Sequence, residues 1–254
     1  MAKIQLIRNA TLKITFGDAT FLIDPMLGAK GSFESYGNIA KNPISKLPIS
    51  TDEILADVDA VLVSHLHKDH FDDAAKHLIK KVLQIFCQPT NKETIAESGF
   101  RNITEIFESQ TFNSTTIHRV GGKHGRGPIE KLMGKVSGFV LENKNEPTIY
   151  ILGDTIFNDE LKATIKKFKP EIIITNSGGA FIPGYEKDLI LLDEHETLEI
   201  ANYAKDAILI AVHLEALDHC TVSRASLYRT VLQSNISKEN LKIPLNGEIL
   251  EFKK

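Results

Sequence analysis

The stretch that decides the fold of this chain reads Ala60-Val61-Leu62-Val63-Ser64-His65-Leu66-His67-Lys68-Asp69-His70. Its opening run of four apolar residues predicts a short buried β-strand. Because side chains alternate along an extended chain, His65 and His67 point to the same face and can reach one metal ion. Asp69 and His70 follow at the predicted turn into a helix, where they can diverge or bend round to a second ion. Three solvated histidines in a loop are the ordinary alternative, which this density of ligand side chains after a buried strand disfavours.

Upstream of this stretch, the sequence predicts a β-hairpin and then a long loop. Apolar and polar residues alternate over 11–16 and 19–23, with Gly17-Asp18 at the turn between them. Asp24-Pro25 ends the second strand, since proline cannot donate to the hydrogen-bond ladder of a sheet. The segment 26–48 is rich in Gly, Ser, Asn and Pro and has no periodicity. Connections of this length are usually functional or disordered, so we expect a loop that covers a substrate, with a plain surface loop as the alternative.

Downstream, predicted strands and helices alternate. The pattern predicts helices over 52–56, 72–81, 92–98, 161–168, 194–205 and 223–232. It predicts strands over 83–86, 112–120, 136–141, 148–152, 171–175 and 207–212. No low-complexity linker or short-period repeat interrupts this order. We therefore expect a single α/β domain over residues 1–254, built as a layered sandwich.

Composition and charge exclude several classes of protein. The 254 residues carry 30 Lys and Arg against 33 Asp and Glu, a net charge of -3, which argues against a nucleic-acid binder with a basic face. No apolar run approaches the roughly 18 residues that cross a bilayer, and the N-terminus lacks a signal-like apolar core. We expect a cytoplasmic protein without a membrane partner. The sequence leaves open whether it forms a homo-oligomer. Cys87 and Cys220 lie far apart and form no CxxC pair, so a disulfide framework is unsupported.

The residues from His65 to His70 resemble the HxHxDH signature of the metallo-β-lactamase superfamily and match it without departure. The resemblance extends over nearly the whole chain and implies the metallo-β-lactamase fold, a four-layer αββα sandwich. Later ligands of the family find counterparts in order, at a glycine-rich segment, after a strand and after a late strand: His124, Asp154 and His213. Alone, either of these histidines would be an ordinary one, but their order and context favour ligands.

The resemblance implies a two-metal site. One ion would be held by His65, His67 and His124, the other by Asp69, His70 and His213, and Asp154 would bridge the two. His118 competes with His124 for the third position on the first ion, but its strand pattern favours a structural role. We expect two divalent ions, zinc first with manganese or iron as alternatives, since histidine and carboxylate ligands without cysteine suit all three metals.

Such a site implies a metal-dependent hydrolase. Two neighbouring cations lower the pKa of a shared water, which yields a metal-activated hydroxide near neutral pH. Asp69 would hold or accept the water proton as well as bind metal. No GxSxG elbow is present, and this chemistry needs no serine nucleophile. The expected substrate is a small ester, lactone or phosphoester. An anionic substrate is included in this expectation.

Four residues outside the ligand set are candidates for supporting roles. Asp24 would orient a ligand histidine through its free ring nitrogen, or only cap a turn. His219 follows His213 by six residues and would donate a proton or contact substrate, with a helix cap or core histidine as the alternative. Lys123 and Arg126 flank His124 and would receive an anionic group, or be merely solvated. The segments 213–220 and 176–179 resemble, more loosely, the ascorbate-phosphate lactonase branch of the superfamily.

Three other functions use the same ligands. The first is cleavage of nucleotide or RNA phosphodiesters, which the acidic charge and the lack of a long RNA-gripping insertion disfavour. The second is a diiron redox protein, for whose usual flavin domain the chain has no room. The third is a metal-binding regulator without catalysis, which the complete ligand set disfavours. Iron absorbance would favour the redox protein, and salt-sensitive RNA binding would favour the nuclease.

Overall fold

Two mixed seven-stranded sheets form the centre of the computed structural model, which describes residues 1–237 and 239–254. The strands of the first sheet are β1 (Ala2–Arg8), β2 (Thr11–Phe16), β3 (Ala19–Ile23), β4 (Ala60–Val63), β5 (Gln84–Cys87), β6 (Asn102–Glu105) and β14 (Ile249–Phe252). Their order is β14-β1-β2-β3-β4-β5-β6. Pairing is antiparallel from β14 to β3 and parallel from β3 to β6.

The second sheet repeats this arrangement with the later part of the chain. Its strands are β7 (Ser109–Phe112), β8 (Thr115–Gly121), β9 (Ser137–Glu142), β10 (Ile149–Ile151), β11 (Ile172–Asn176), β12 (Ile208–Val212) and β13 (Leu241–Lys242). They lie in the order β13-β12-β11-β10-β9-β8-β7. Pairing is antiparallel from β7 to β10 and parallel from β10 to β13. Each part of the chain therefore builds one sheet, and β14 alone returns to the first.

Helices pack beside both sheets, and all but the fourth helix of the chain lie on their outer faces. They are α1 (Thr51–Leu55), α2 (Asp73–Leu78), α3 (Lys92–Glu97), α4 (Pro128–Met133), α5 (Asp159–Phe168), α6 (Glu194–Tyr203) and α7 (Arg224–Leu232). Apolar residues of α1, α2 and α3 pack on the first sheet. Those of α5, α6 and α7 pack on the second. The predicted four-layer αββα sandwich is confirmed.

The β4 strand shows why its sequence is apolar without interruption. Ala60 and Leu62 lie in the core between the two sheets. Val61 and Val63 point to the opposite face, where the helices of the first sheet pack. A strand buried on both faces needs apolar residues at every position, because each pleat direction meets packed side chains.

The structure differs from the predicted elements in several places, and the strands β6, β13 and β14 were not predicted. The predicted strand over 112–120 is two strands, β7 and β8, because the chain turns at Asn113, whose φ of 50° lies in the left-handed region. The predicted helix over 72–81 ends at Leu78. The α4 helix, with Pro128 at its start, was not predicted. The predicted hairpin of β2 with β3 is confirmed, and the predicted strands over 136–141 and 148–152 pair as a second hairpin, β9 with β10.

Within residues 1–237 and 239–254, no helix combines the length and the apolar character that crossing a bilayer requires.

Candidate metal centre

The side chains of the centre follow the carboxyl ends of strands from both sheets. His65, His67, Asp69 and His70 follow β4 in the first sheet. His124, Asp154 and His213 follow β8, β10 and β12 in the second. Since these three strands run in one direction, their ends lie at one edge of the sheet, where α/β proteins usually bind ligands.

All seven predicted ligand side chains converge there in two groups. The ligand atoms of the first group lie within 4.8 Å of one another and belong to His65, His67 and His124. Those of the second group meet the same criterion and belong to Asp69, His70, Asp154 and His213. The grouping matches the predicted division between two ions. That these atoms bind metal stays a prediction.

The Asp154 carboxylate joins the two groups. Its Oδ2 lies 3.5 Å from His124 Nε2 and 4.0 Å from His65 Nε2, in the first group. The same oxygen lies 3.2 Å from His70 Nε2, and Oδ1 lies 3.6 Å from His213 Nε2, in the second group. This is the position that the resemblance implies for a bridging carboxylate.

A buried aspartate after β3 orients one histidine of the centre. Asp24 Oδ2 lies 2.8 Å from His70 Nδ1, and the same carboxylate accepts hydrogen bonds from the Ser64 amide and hydroxyl, each 2.7 Å long. With Nδ1 directed at Asp24, the His70 ring turns Nε2 toward the centre. The contact supports the first interpretation of Asp24 and not a turn cap alone.

Other histidines are held in the same way. His124 Nδ1 lies 2.7 Å from the carbonyl oxygen of Ile190, and His213 Nδ1 lies 3.7 Å from Cys220 Sγ. In both rings Nε2 therefore faces the centre. Cys220 was not predicted to contact it, and its nearness depends on the bridge that pairs Ala180 with Cys220.

The turn after β10 fixes the position of Asp154. Gly153 has φ of +66°, and a Cβ atom there would lie 2.6 Å from the carbonyl oxygen of Ser137, so this position requires glycine. Asn176, at the end of β11, donates from Nδ2 to Asp154 Oδ1 at 2.7 Å. This role of Asn176 was not predicted from the sequence. The signal for it was the position of Asn176 at the end of a strand parallel to the one that precedes Asp154.

Burial and mutual charge set the protonation of these groups. Burial lowers the pKa of His124 to about 4, and burial with the charges of His70 and His67 lowers the pKa of His65 well below its ordinary value. Both rings are therefore neutral at pH 7, the form that binds metal. Burial alone would raise the pKa of Asp154, but the neighbouring His70 and His213 more than offset it, so this carboxyl is ionised.

The donor set fits divalent metal ions. His70 Nε2 is completely buried and has no hydrogen-bond partner, although it lies near two carboxylates. A buried polar atom of this kind carries a large desolvation cost unless something binds it. Imidazole nitrogens and carboxylate oxygens aimed at common points are suitable ligands for zinc, manganese or iron.

A cavity of about 440 Å³ opens beside the centre. Its floor is formed by side chains of the two groups, and its walls are largely apolar, formed by Leu66, Met133, Ile182 and Ile190. Tyr36, from the loop predicted to cover a substrate, lines it as well. The placement of Tyr36 favours that prediction over a plain surface loop.

The structure separates the other candidate residues. His219 is buried, lines the cavity, and has an Nδ1 atom without a hydrogen-bond partner. Lys123 and Arg126 are absent from the cavity walls and form ion pairs with Glu130 and Glu196. The cavity cation is instead Lys68, from inside the signature, which sequence analysis did not single out.

His118 takes the structural role that its strand pattern predicted. Its Nε2 atom lies 2.6 Å from Glu142 on the neighbouring strand β9. His195, at the start of α6, is exposed.

This geometry defines a class of protein, a two-sheet sandwich with histidine and aspartate side chains clustered at one edge of the sheets. A family profile described as Beta-lactamase superfamily domain matches residues 19–214. The chain belongs to the beta-lactamase superfamily, as the HxHxDH resemblance predicted. The UPF0173 protein YddR of Bacillus subtilis (strain 168) is 36% identical over 262 residues, which cover 98% of this chain and 99% of that protein.

Two solved structures are similar over almost the full length. A possible metal-dependent hydrolase from Veillonella parvula DSM 2008 has a TM-score of 0.94 at 36% identity, covering 98% of this chain and 99% of that one. An isothiocyanate hydrolase from Delia radicum gut bacteria has a TM-score of 0.92 at 33% identity, covering 99% of each chain. The predicted class, a metal-dependent hydrolase with the metallo-β-lactamase fold, is confirmed at the level of the family. The narrower resemblance to the ascorbate-phosphate lactonase branch stays a prediction.

Replacing Asp24 with asparagine is expected to weaken metal binding by about 10- to 100-fold, the usual cost of losing the outer partner of a ligand histidine. The amide removes the charge that holds His70 Nδ1–H and one of the two carboxylate oxygens that accept hydrogen bonds from Ser64. Competition against a chelator of known affinity measures the change. Asp57→Asn is the matched control, since Asp57 is exposed and also has a positive φ. Equal affinities in both variants would show that His70 is oriented without Asp24.

Proposed function

We propose that this chain hydrolyses a small, uncharged and largely apolar electrophile at a carbon centre. The observation that carries the proposal is the cavity beside the histidine and aspartate groups, with its walls of Leu66, Met133, Ile182 and Ile190. Burying an apolar substituent against such walls is favourable, whereas burying a charged one without a partner is costly.

The same proposal includes the ligand assignment. Two divalent ions, zinc in the first place, would be held by His65, His67 and His124 on one side and by Asp69, His70 and His213 on the other, with Asp154 between them. Ions held there would supply an activated water and polarise the electrophile. The distances of 3.2–4.0 Å from the Asp154 oxygens to four histidines support its shared role.

Two residues of the chain are placed to move protons. Asp69 Oδ2 lies 3.2 Å from His213 Nε2 at the cavity floor, and the neighbouring His70 and His213 hold the pKa of this carboxyl below its ordinary value against the effect of burial. Asp69 would therefore orient the attacking water and accept its proton. Burial lowers the pKa of His219, so its ring is neutral at pH 7 and offers both a donor and an acceptor to the departing group.

The charges of the cavity favour a neutral substrate over a phosphoester. Phosphate recognition usually employs Arg or several cations in fixed positions. Among the described residues that line the cavity, Lys68 is the one Lys or Arg, and its Nζ lies 3.9 Å from Asp73. The cations predicted for an anionic group, Lys123 and Arg126, pair with glutamates elsewhere.

Isothiocyanates are the first substrate class to test, ahead of lactones and esters. An isothiocyanate, R–N=C=S, has an uncharged electrophilic carbon and a substituent that the apolar walls would receive. Addition of one water to that carbon and cleavage of its bond to nitrogen release the amine R–NH2 and carbonyl sulfide; the water oxygen stays on carbon and both of its protons pass to nitrogen. The relative that is 33% identical and named an isothiocyanate hydrolase supports this order.

The test is a substrate panel on protein whose metal content has been measured by elemental analysis. We expect turnover of isothiocyanates with small apolar substituents, weaker turnover of lactones and esters, and none of phosphomonoesters or RNA. Preference for a phosphoester, salt-sensitive RNA cleavage, or the absence of transition metal from every preparation would contradict the proposal.

In the same assay, Asp69→Ala is expected to lower kcat by at least about a hundred-fold, within the range for loss of a general base. Its circular dichroism and urea unfolding should stay close to those of the parent chain. Asp206→Ala, which removes an exposed aspartate, is the control and should retain full activity. Full activity of Asp69→Ala at unchanged metal content would show that the role given to Asp69 is wrong.

A further inference from the structure

One carboxylate gathers a whole segment of the long loop. We define the tip loop as residues 33–42, the part of the long loop that carries Tyr36 to the cavity. Asp218, in the connection between β12 and α7, accepts hydrogen bonds from six donors of this segment. They are the backbone amides of Tyr36, Gly37, Ile39 and Ala40, the Ser35 hydroxyl and the Asn42 side-chain amide.

These hydrogen bonds join residues that lie far apart in the sequence. Asn42 Nδ2 donates to Asp218 Oδ1 at 2.8 Å, and the Asp218 amide donates back to Asn42 Oδ1 at 2.9 Å, across 176 residues. The Tyr36 amide lies 3.0 Å from the same carboxylate. Hydrogen bonds to an ionised acceptor are among the stronger ones in proteins. A β-bridge between Phe33 and Asn42 closes the two ends of the tip loop, and between them, where the loop has no helix and no named strand, this carboxylate holds the backbone.

The packing around Asp218 is close. A Cβ atom on Gly37 would lie 3.1 Å from the carbonyl oxygen of Asp218 and 3.2 Å from His219 Cα, closer than side chains ordinarily approach. Phe33 and Tyr36 pack in one apolar cluster with Leu217, on the other side of the same connection. The tip loop therefore rests directly on the backbone that carries His219.

The contact between the tip loop and this connection brings two cavity residues together. The rings of Tyr36 and His219 lie 5.1 Å apart, edge to face at 87°, and both line the cavity. Burial, together with the charge of Asp69, raises the pKa of Tyr36 above its ordinary value, so the hydroxyl remains a hydrogen-bond donor. Tyr36 from the tip loop and His219 from the connection between β12 and α7 thus form one wall of the cavity. Their contact depends on the position of the tip loop.

We propose that Asp218 is a positioning residue that fixes the tip loop over the cavity, so that Tyr36 and His219 form the wall that limits substrate size. The inference rests on the proposed function for its substrate, but the docking itself does not depend on any substrate. Burial opposes the charge of Asp218, while the hydrogen bonds from Ser35 and Asn42 lower its pKa strongly, so the docking charge persists at neutral pH.

The test compares Asp218→Asn with Glu34→Gln in the metal-loaded chain. Glu34 lies on the same loop with its side chain 84% exposed, and its replacement also removes one negative charge. An asparagine at 218 loses the charge and turns an N–H2 group toward N–H donors. We expect the amides of Tyr36, Gly37, Ile39 and Ala40 to exchange hydrogen about tenfold or more faster in Asp218→Asn and at the parent rate in Glu34→Gln.

Kinetics then separate positioning from a general structural role. In Asp218→Asn the KM for a small apolar substrate should rise about tenfold while kcat and metal content change less, because binding is lost and the reacting groups stay. The relative turnover of bulky and small substrates should shift toward the bulky ones. Should Asp218→Asn fail to fold, Gly37→Ala replaces it, since its Cβ pushes the tip loop from the same surface without a change of charge.

Unchanged exchange of the four amides would overturn the docking role, and faster exchange with unchanged KM and size preference would overturn the role in selection. If the parent chain hydrolysed no member of the panel, the proposed function would fail by itself. The exchange comparison would still decide whether Asp218 fixes the tip loop, because it requires no substrate.

Discussion

Replacing Asp154 with asparagine is expected to remove most bound metal and to lower turnover by more than the about 10- to 100-fold that loss of an outer partner costs. Asp154 is the carboxylate common to both groups, with an oxygen 3.2 Å from His70 Nε2 and 3.5 Å from His124 Nε2. The amide keeps the size of the side chain and can still accept from Asn176 Nδ2, so the change removes charge and leaves packing intact.

Elemental analysis and kcat/KM on the same preparation measure this prediction. Asp159→Asn is the matched control, because Asp159 lies five residues further along the chain with a fully exposed side chain. The control should keep its metal and its activity. Two equivalents of metal and undiminished turnover in Asp154→Asn would show that this carboxylate is not shared between ions.

Replacing Arg8 with methionine is expected to lower the free energy of unfolding by about 3–5 kcal/mol, the range for breaking a buried charged network. Arg8 is completely buried, and its guanidinium donates to the carbonyl oxygens of Met26, Gly28 and Ser45 at 2.8–3.0 Å. These carbonyls belong to the two ends of the long loop. Burial lowers the pKa of Arg8 to about 10, opposed by the nearby charge of Asp72, so the guanidinium is charged at pH 7.

Methionine fills similar space but donates no hydrogen bond, so three carbonyl groups lose their donor and the Asp72 carboxylate loses a nearby positive charge. Urea unfolding followed by circular dichroism measures the change. Lys3→Met is the control on the same strand, with a half-exposed side chain paired to Glu251, and should change stability by no more than about 0.5 kcal/mol. A loss below about 1 kcal/mol in Arg8→Met would show that the loop ends are held without the guanidinium.

The local pattern predicted the strand β4 and the candidate ligands that follow it, because both depend on neighbours in sequence. The apolar run of β4 predicts a strand buried on both faces, and the residues after it fall at the strand end whatever the rest of the chain does. The division of 112–120 at Asn113 escaped prediction, since the residues on either side of the turn are all compatible with one strand. A short helix such as α4 escaped for a related reason, because six residues carry too little periodicity.

The sequence by itself determined a layered α/β domain and the candidate ligands from His65 to His70, since alternation, strand ends and the HxHxDH spacing are local properties; the resemblance carried by that spacing implied the two-sheet fold and the later ligands His124, Asp154 and His213. Tertiary structure decided between the two roles left open for Asp24, and it alone placed Asn176 against Asp154 and Asp218 beneath the tip loop. The tertiary structure also pairs Lys123 with Glu130 in an ion pair, whereas Lys68 lines the cavity. The physical reason is that loop side chains have no fixed period, so their direction is set by contacts between segments that lie far apart in the chain.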